Sequence, residues 1–229
     1  GDEGGFAPDL TSNDEACDLI VEAIHAAGLR PGADVAIALD PAATSFFRDG
    51  RYELKAAGDA LVTADQLLSI YQDWVKRYPI VSIEDGFEEN DWKAVVAQTV
   101  LQGDHIQIVG DDIYVTNTRF IRKGIEKGAS NAVLIKLNQI GTVSETIDAI
   151  AMCREAGWNY VVSHRSGETE DAFMADFTVA MGGGQIKTGS LSRSERIAKY
   201  NRLLEIEREL GKDAPFARGV LTARGGRHV

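Results

Sequence analysis

Residues 131–164 read NAVLIKLNQIGTVSETIDAIAMCREAGWNYVVSH, and they carry the pattern that decides the fold. An apolar, β-branched run at 132–135 ends on Lys136. A helix-period stretch follows at 142–156, and a second apolar run at 160–162 leads to His164. Two strands joined through a helix run parallel, so this stretch is one βα unit entering the next.

The unit recurs on both sides. Apolar runs stand at 35–39 (VAIAL), 80–83 (IVSI), 106–109 (IQIV) and 185–186 (QI), and beyond the first the starts lie about 26 residues apart. Helix-period stretches fill the gaps, with further helices predicted near 90–102, 117–127, 170–181 and 193–210. Before the first run, Ser12 and Asn13 are N-cap candidates, and Asp14 and Glu15 suit the positive end of a helix dipole. Ala16, Leu19, Ile20, Ala23, Ile24 and Ala27 then form one predicted apolar stripe, closed by Gly28 as a left-handed cap. The next helix opens on the capping-box pattern Thr63-x-x-Gln66, is expected to bury Leu67, Tyr71, Trp74 and Val75, and stops at Pro79. Strands that are apolar almost throughout, rather than alternating, fit a sheet covered on both faces.

All six runs end on an ionisable side chain: Asp40, Glu84, Asp111, Lys136, His164 and Lys187. A carboxylate after a strand is ordinarily a helix cap or turn former. Six in succession, two of them lysines, do not fit that explanation. A (β/α) barrel gathers functional groups from many strands at its C-terminal edge, whereas an open sheet uses the few beside its switch point. The expected fold class is therefore α/β, a TIM-type (β/α) barrel, present as a partial barrel of about six parallel strands with alternating helices. Residues 1–217 are assigned to it and 218–229 to a basic, disordered tail.

The chemistry of these ends divides in two. Asp40, Glu84 and Asp111 offer hard oxygen ligands suited to Mg²⁺, and without a cation their charges would repel. The neighbouring Asp85 and Asp112 read as loop or capping aspartates. Lys136, Lys187 and His164 supply the other half, and a lysine facing another lysine and a cation becomes a usable base. In SHRSGETED (163–171), Arg165 offers a bidentate fork and Ser166 a hydroxyl, together an anion site. The competing reading is a polar loop in which Glu168 or Glu170 pairs with Arg165.

Composition narrows the class. A net charge of −11 in 229 residues argues against general nucleic-acid binding. No apolar run approaches the length of a membrane span, and the start has no signal-peptide pattern. Cys17 and Cys153 fall at helical positions, which suggests reduced core thiols and a cytoplasmic protein. Residues 188–229 carry nine Lys/Arg against five Asp/Glu and read as a solvated helix followed by the basic tail.

The blocks GDEGGFAP, ALDPAAT, SIEDGF, VGDDIYVTN, IKLNQIGTVSET, SHRSGETED and GQIKTGSLSRSERIAKYN together resemble the successive signatures of the enolase family, from residue 1 to about 217. That resemblance implies a Mg²⁺-dependent glycolytic lyase in the cytoplasm, which reversibly dehydrates 2-phosphoglycerate to phosphoenolpyruvate through a Mg²⁺-held enediolate. It implies Asp40, Glu84 and Asp111 as metal ligands, Lys136 as the base, and Glu3 as the acid for the departing hydroxyl. Glu84 and Asp111 are also implied to lie beside the substrate. His164 and Lys187 would contact the substrate, Arg165 and Ser166 its phosphate. A homodimer or an assembly of dimers is implied as well. Thr44-Ser45 departs from the family's usual Ser-Glu. Members have a preceding domain and two further barrel strands, so the chain is expected to be a piece of a longer protein. The alternative to activity is an incompetent fragment that retains only metal or partner binding.

Overall fold

The computed structural model describes residues 1–55, 58 and 60–217; the tail expected at 218–229 lies outside the described residues. The chain falls into two compact units. The first takes in Asp9–Ile113 and Lys123–Asn131, and the second Gly1–Pro8, Tyr114–Arg122 and the described residues from Ala132 onward.

The first unit begins with α1 (Asn13–Ala26), whose N-cap is Ser12: its hydroxyl accepts the Glu15 N–H at 3.2 Å. Gly28 follows the helix with φ +74°, as the sequence requires of a left-handed cap. The predicted stripe is only partly right. Cys17 and Ile24 are buried, whereas Leu19 and Ile20 are each 43% exposed. Three parallel strands follow along the chain: β1 (Ile37–Leu39), then β5 (Ile80–Glu84) and β6 (Gln107–Gly110). They pair in the order β1-β5-β6, with Leu39 opposite Ile83 and Glu84 opposite Val109. Between β1 and β5 lies α2 (Ala64–Arg77), and between β5 and β6 lies α3 (Trp92–Gln102). The capping box is present, Thr63 and Gln66 each accepting the other's backbone N–H. Leu67, Leu68 and Tyr71 are buried, and Trp74 and Val75 half-buried, so the core-facing side of α2 is close to the one predicted.

One element of this unit is not anticipated by the βα reading. After the 3₁₀ turn Ala43–Phe46, the strands β2 (Phe47–Arg48), β3 (Arg51–Leu54) and β4 (Ala60–Val62) form an antiparallel sheet. Its first turn is Asp49-Gly50, with φ of 49° and 79°, the positive pair that a two-residue hairpin of right-handed twist needs. The sheet serves the loop after β5. Tyr52 of β3 is fully buried, meets Phe87 edge-on at 5.8 Å, accepts the Glu88 N–H at 3.1 Å and donates to Asp91 at 3.3 Å. Tyr71 of α2 donates to the Gly86 carbonyl at 3.0 Å. The loop is thereby tied down from two elements.

After α4 (Thr118–Lys127), the second unit contains β7 (Ala132–Ile135), the short α5 (Leu137–Ile140), α6 (Val143–Glu155), β8 (Asn159–Ser163), α7 (Phe173–Met181), β9 (Ile186–Lys187) and α8 (Ser194–Leu210). The parallel order is β7-β8-β9, with Ile135 opposite Val162 and Ser163 opposite Lys187. All four residues of β7 are fully buried, as are Ala149, Ile150 and Cys153 of α6, so burial on both faces explains the unbroken apolar runs. Cys17 and Cys153 are both buried free thiols. Each of the six predicted parallel strands is present, three in each unit. No helix among the described residues is long and apolar enough to cross a membrane.

Candidate active site

In the first unit the polar residues fall where the sequence puts them, at the C-terminal ends of parallel strands. Glu84 is the last residue of β5 and is buried, and Asp111 follows β6 and is buried. Asp40 follows β1, and one step beyond the Leu39–Ile83 pair sets it opposite Glu84 in register. Asp111 lies two residues past the partner of Glu84, so strand alternation puts the two on the same side.

Among the described residues, the group of three carboxylates whose oxygens all lie within 4.8 Å of one another is that of Asp85, Asp111 and Asp112. Asp40 and Glu84 stand outside that trio. Asp85 owes its place to backbone geometry: its φ of 44° lies in the left-handed region and ends the strand sharply. Its Oδ1 accepts the Asp111 N–H and its Oδ2 the Asp112 N–H, both at 2.9 Å. This is the turn-capping role the sequence suggests for it, and it locks the β5 and β6 ends together. Burial pushes the Asp85 carboxyl up to about 7, against the two backbone donors, and the charges of Asp111 and Asp112 add to the rise. A close set of hard oxygens is the donor chemistry that a divalent cation such as Mg²⁺ takes.

The second unit holds the cations and Glu3. Lys136 follows β7, and its backbone N–H donates to Thr116 Oγ1 at 2.9 Å, while that hydroxyl donates to Gln139 at 2.7 Å. Val115 and Thr116 reach this position through consecutive positive φ values of 44° and 56°. β-branched residues adopt that conformation at a cost of about 1–3 kcal/mol each. Strain is therefore concentrated beside the lysine. Lys187 ends β9, and its carbonyl accepts the His164 N–H at 2.9 Å.

Glu3 is brought to the end of β8 by a glycine-dependent contact. Gly4 has φ +82°, and a Cβ there would meet the Ser192 carbonyl oxygen at 2.3 Å; the Glu3 carbonyl accepts the Ser190 N–H at 2.9 Å. The Glu3 side chain then accepts from the Ser166 hydroxyl at 2.9 Å and faces His164 Nε2 at 3.2 Å. That second separation is an ion-pair distance without hydrogen-bond geometry, and Nε2 is buried with no hydrogen-bond partner among the described residues. Burial depresses the His164 pKa, Glu3 partly offsets it, and the Arg196 and Lys187 charges deepen the depression.

Arg165 does not pair with Glu168 or Glu170 through its side chain. Its Nη1 donates to Asn138 at 2.9 Å, and only its backbone N–H reaches Glu168, at 3.2 Å. Glu168 is paired with Lys199 at 2.7 Å. Lys199 and Arg196, on α8, are the residues that sequence reasoning misses. The segment reads as a solvated helix, yet Lys199 is fully buried and Arg196 is 1% exposed. The correction has a physical basis, since both cations are covered by oxygen acceptors of the SHRSGETED loop. The signal available was their place in the block SRSERIAKYN, three residues apart on one helix face.

The family model described as "Enolase, C-terminal TIM barrel domain" matches residues 1–223. The chain belongs to the enolase family. Among curated relatives, Enolase 1 of Methylococcus capsulatus is 66% identical over 218 residues, covering 95% of this chain and 52% of that protein. The enolase of Desulfotalea psychrophila is 62% identical over 218 residues, covering 94% of this chain and 52% of its own length. Enolase 1 of Methanospirillum hungatei is 55% identical over 217 residues, covering 95% and 51%. The chain thus spans about half the length of these relatives. Its alternating strands and helices are those of the enolase barrel domain.

Proposed function

We propose that this chain carries the catalytic residues of a cytoplasmic, glycolytic hydro-lyase interconverting 2-phosphoglycerate and phosphoenolpyruvate. The observation that carries the reading is the placement of an ionisable side chain at the C-terminal end of all six parallel strands, with Glu3 docked on His164 and Ser166. Asp40, Glu84 and Asp111 would hold Mg²⁺, with Asp85 bracing the Asp111 backbone. The bound metal supplies positive charge for a substrate carboxylate that gains negative charge as its neighbouring carbon loses a proton.

Lys136 removes the proton from C2. Its backbone anchor to Thr116 fixes where the side chain starts, as a positioned base requires. Glu3 delivers a proton to the departing C3 hydroxyl; before substrate binds, one of its oxygens accepts from the Ser166 hydroxyl and the other faces His164. Lys187 neutralises the substrate carboxylate, and Arg165 with Ser166 receives the phosphate. The functional form is a homodimer or an assembly of dimers.

The test is a chimera in which this chain replaces the matching stretch of the Methylococcus capsulatus relative. Phosphoenolpyruvate formation that depends on added Mg²⁺ supports the reading. Mg²⁺ binding without turnover in a folded chimera would instead leave a metal-binding fragment.

A further inference from the structure

Arg196 lies behind the SHRSGETED loop, and its contacts account for three consecutive residues of it. One guanidinium nitrogen, Nη1, stands 2.5 Å from His164 Nδ1 and donates to the Arg165 carbonyl at 2.7 Å. The other, Nη2, donates to the Ser166 carbonyl at 2.6 Å. Nη1 carries two hydrogens, so the ring nitrogen and the Arg165 carbonyl use both. A guanidinium has donors and no acceptor, and it does not lose its charge in a protein. The group facing it must therefore be an acceptor. That leaves His164 Nδ1 without a proton, and a neutral imidazole then carries its hydrogen on Nε2.

We propose that Arg196 is a positioning residue that fixes His164 as the neutral Nε2–H tautomer and aims that hydrogen past Glu3 towards an oxygen of the bound substrate. The role in turnover rests on the function proposed above, but the tautomer does not. Three further observations agree. His164 is 3% exposed, and its Nε2 has no hydrogen-bond partner among the described residues, so this donor is held available. Protonating Nδ1 would set an N–H against a guanidinium N–H at 2.5 Å, which opposes the cation. The fit behind Arg196 is tight, since a Cβ on Gly189 would meet its Cδ at 2.6 Å and the Glu3 carbonyl oxygen at 2.9 Å. Arg196 thus holds the imidazole and the backbone of the two residues after it as one piece, and Gly189 leaves room for it beneath the Glu3 loop.

The test is a long-range ¹H–¹⁵N spectrum of this chain labelled at histidine, near neutral pH. The chain has four histidines, and the His164 signals are those retained when His25, His105 and His228 are replaced by Gln. The expected result is an unprotonated Nδ1 and a protonated Nε2. A protonated Nδ1, whether as the other tautomer or as the cation, overturns the inference. Arg196→Met should release the bias and give an averaged or Nδ1-protonated ring, while Arg196→Lys, still a donor, should largely restore it. An unchanged ring in a folded Arg196→Met chain also overturns the inference, and if that variant does not fold, the wild-type spectrum decides alone. In the active chimera, Arg196→Met should lower kcat on the order of 100-fold with a smaller change in KM, the loss expected of a group misplaced by about 1 Å. An inactive wild-type chimera with the expected tautomer would sink the functional reading and leave the tautomer standing.

Discussion

The buried cations of the second unit and the acidic strand ends of the first are stabilised by different means. Lys199 donates to Glu168 at 2.7 Å, to the Glu195 carbonyl at 2.6 Å and to the Thr169 carbonyl, and Arg196 is met by two carbonyls and an imidazole nitrogen. Lys199 and the two terminal nitrogens of Arg196 thus find their acceptors within the second unit. Asp85, Asp111 and Asp112 instead bring three carboxylates within 4.8 Å of one another, and the Asp111 and Asp112 backbone N–H groups orient that of Asp85. Burial, more than the charges of its neighbours, pushes the Asp85 carboxyl up to about 7. The contrast separates two arrangements of ionisable residues: one ties a loop to a helix, the other gathers carboxylates at strand ends, where a divalent cation could bind.

The sharpest way to break this contrast is Lys199→Met. It leaves Glu168 and two carbonyls in place without their common donor, and removing one partner of a buried pair costs about 3–5 kcal/mol. Urea denaturation should show a loss of that size, and a loss under about 1 kcal/mol would mean that the pair is not a structural anchor. The same pair sets a pH signature. Burial pushes the Glu168 carboxyl up, but Lys199 and the Arg165 and Thr169 backbone donors outweigh it and hold the group below the usual carboxylate range. A depressed folded-state pKa contributes stability that is present above the ordinary glutamate value and lost as pH falls through the depressed one. Wild-type stability should therefore decline on the acid side across that window. Lys199→Met should lose this contribution to the decline, which parallel denaturation curves between neutral and acid pH would show.

Next in size is the response to metal. Mg²⁺ at about 100 times its dissociation constant should add about 2.7 kcal/mol to the stability of the folded chain. Asp111→Asn should abolish most of that gain, and Lys199→Met, although less stable, should retain it. Equal Mg²⁺ stabilisation of the Asp111→Asn chain would show that the acidic strand ends are not where the cation acts. A smaller effect is expected at the antiparallel sheet that ties down the loop following Asp85. Tyr52→Phe removes one fully buried hydroxyl and leaves the Glu88 N–H without that acceptor, a cost of about 1–2 kcal/mol. The Mg²⁺ shift should fall slightly in the same variant, because the tether of that loop is loosened.

The parallel strands and their terminal residues are legible because burial on both faces forces unbroken apolar runs, and an ionisable residue marks the end of each. The caps at Ser12 and Thr63 are legible because orphan N–H groups select a few side chains. Arg196 and Lys199 are hidden for the opposite reason. A cation on a polar helix looks solvated until the loop that covers it is known, and that loop lies about thirty residues away in the chain. On α1, Leu19 and Ile20 share the predicted stripe with Ile24, yet Cys17 takes the buried place, so periodicity finds the helix and misplaces its inner face. The Asp49-Gly50 hairpin has a strong local signal, but the surrounding alternation of strand and helix masks it. Asp85 shows the limit of reading residues singly. It has a capping role and also sits among close carboxylates, and spacing alone cannot separate the two.

The most direct test of the account is exchange of the C2 hydrogen of 2-phosphoglycerate with solvent deuterium, followed by NMR in the active chimera with Mg²⁺ present. The wild-type chimera should exchange that hydrogen, Glu3→Gln should still exchange it while forming little phosphoenolpyruvate, and Lys136→Ala should not exchange it. Exchange at the wild-type rate in a folded Lys136→Ala chimera would contradict the assignment of Lys136 as the base.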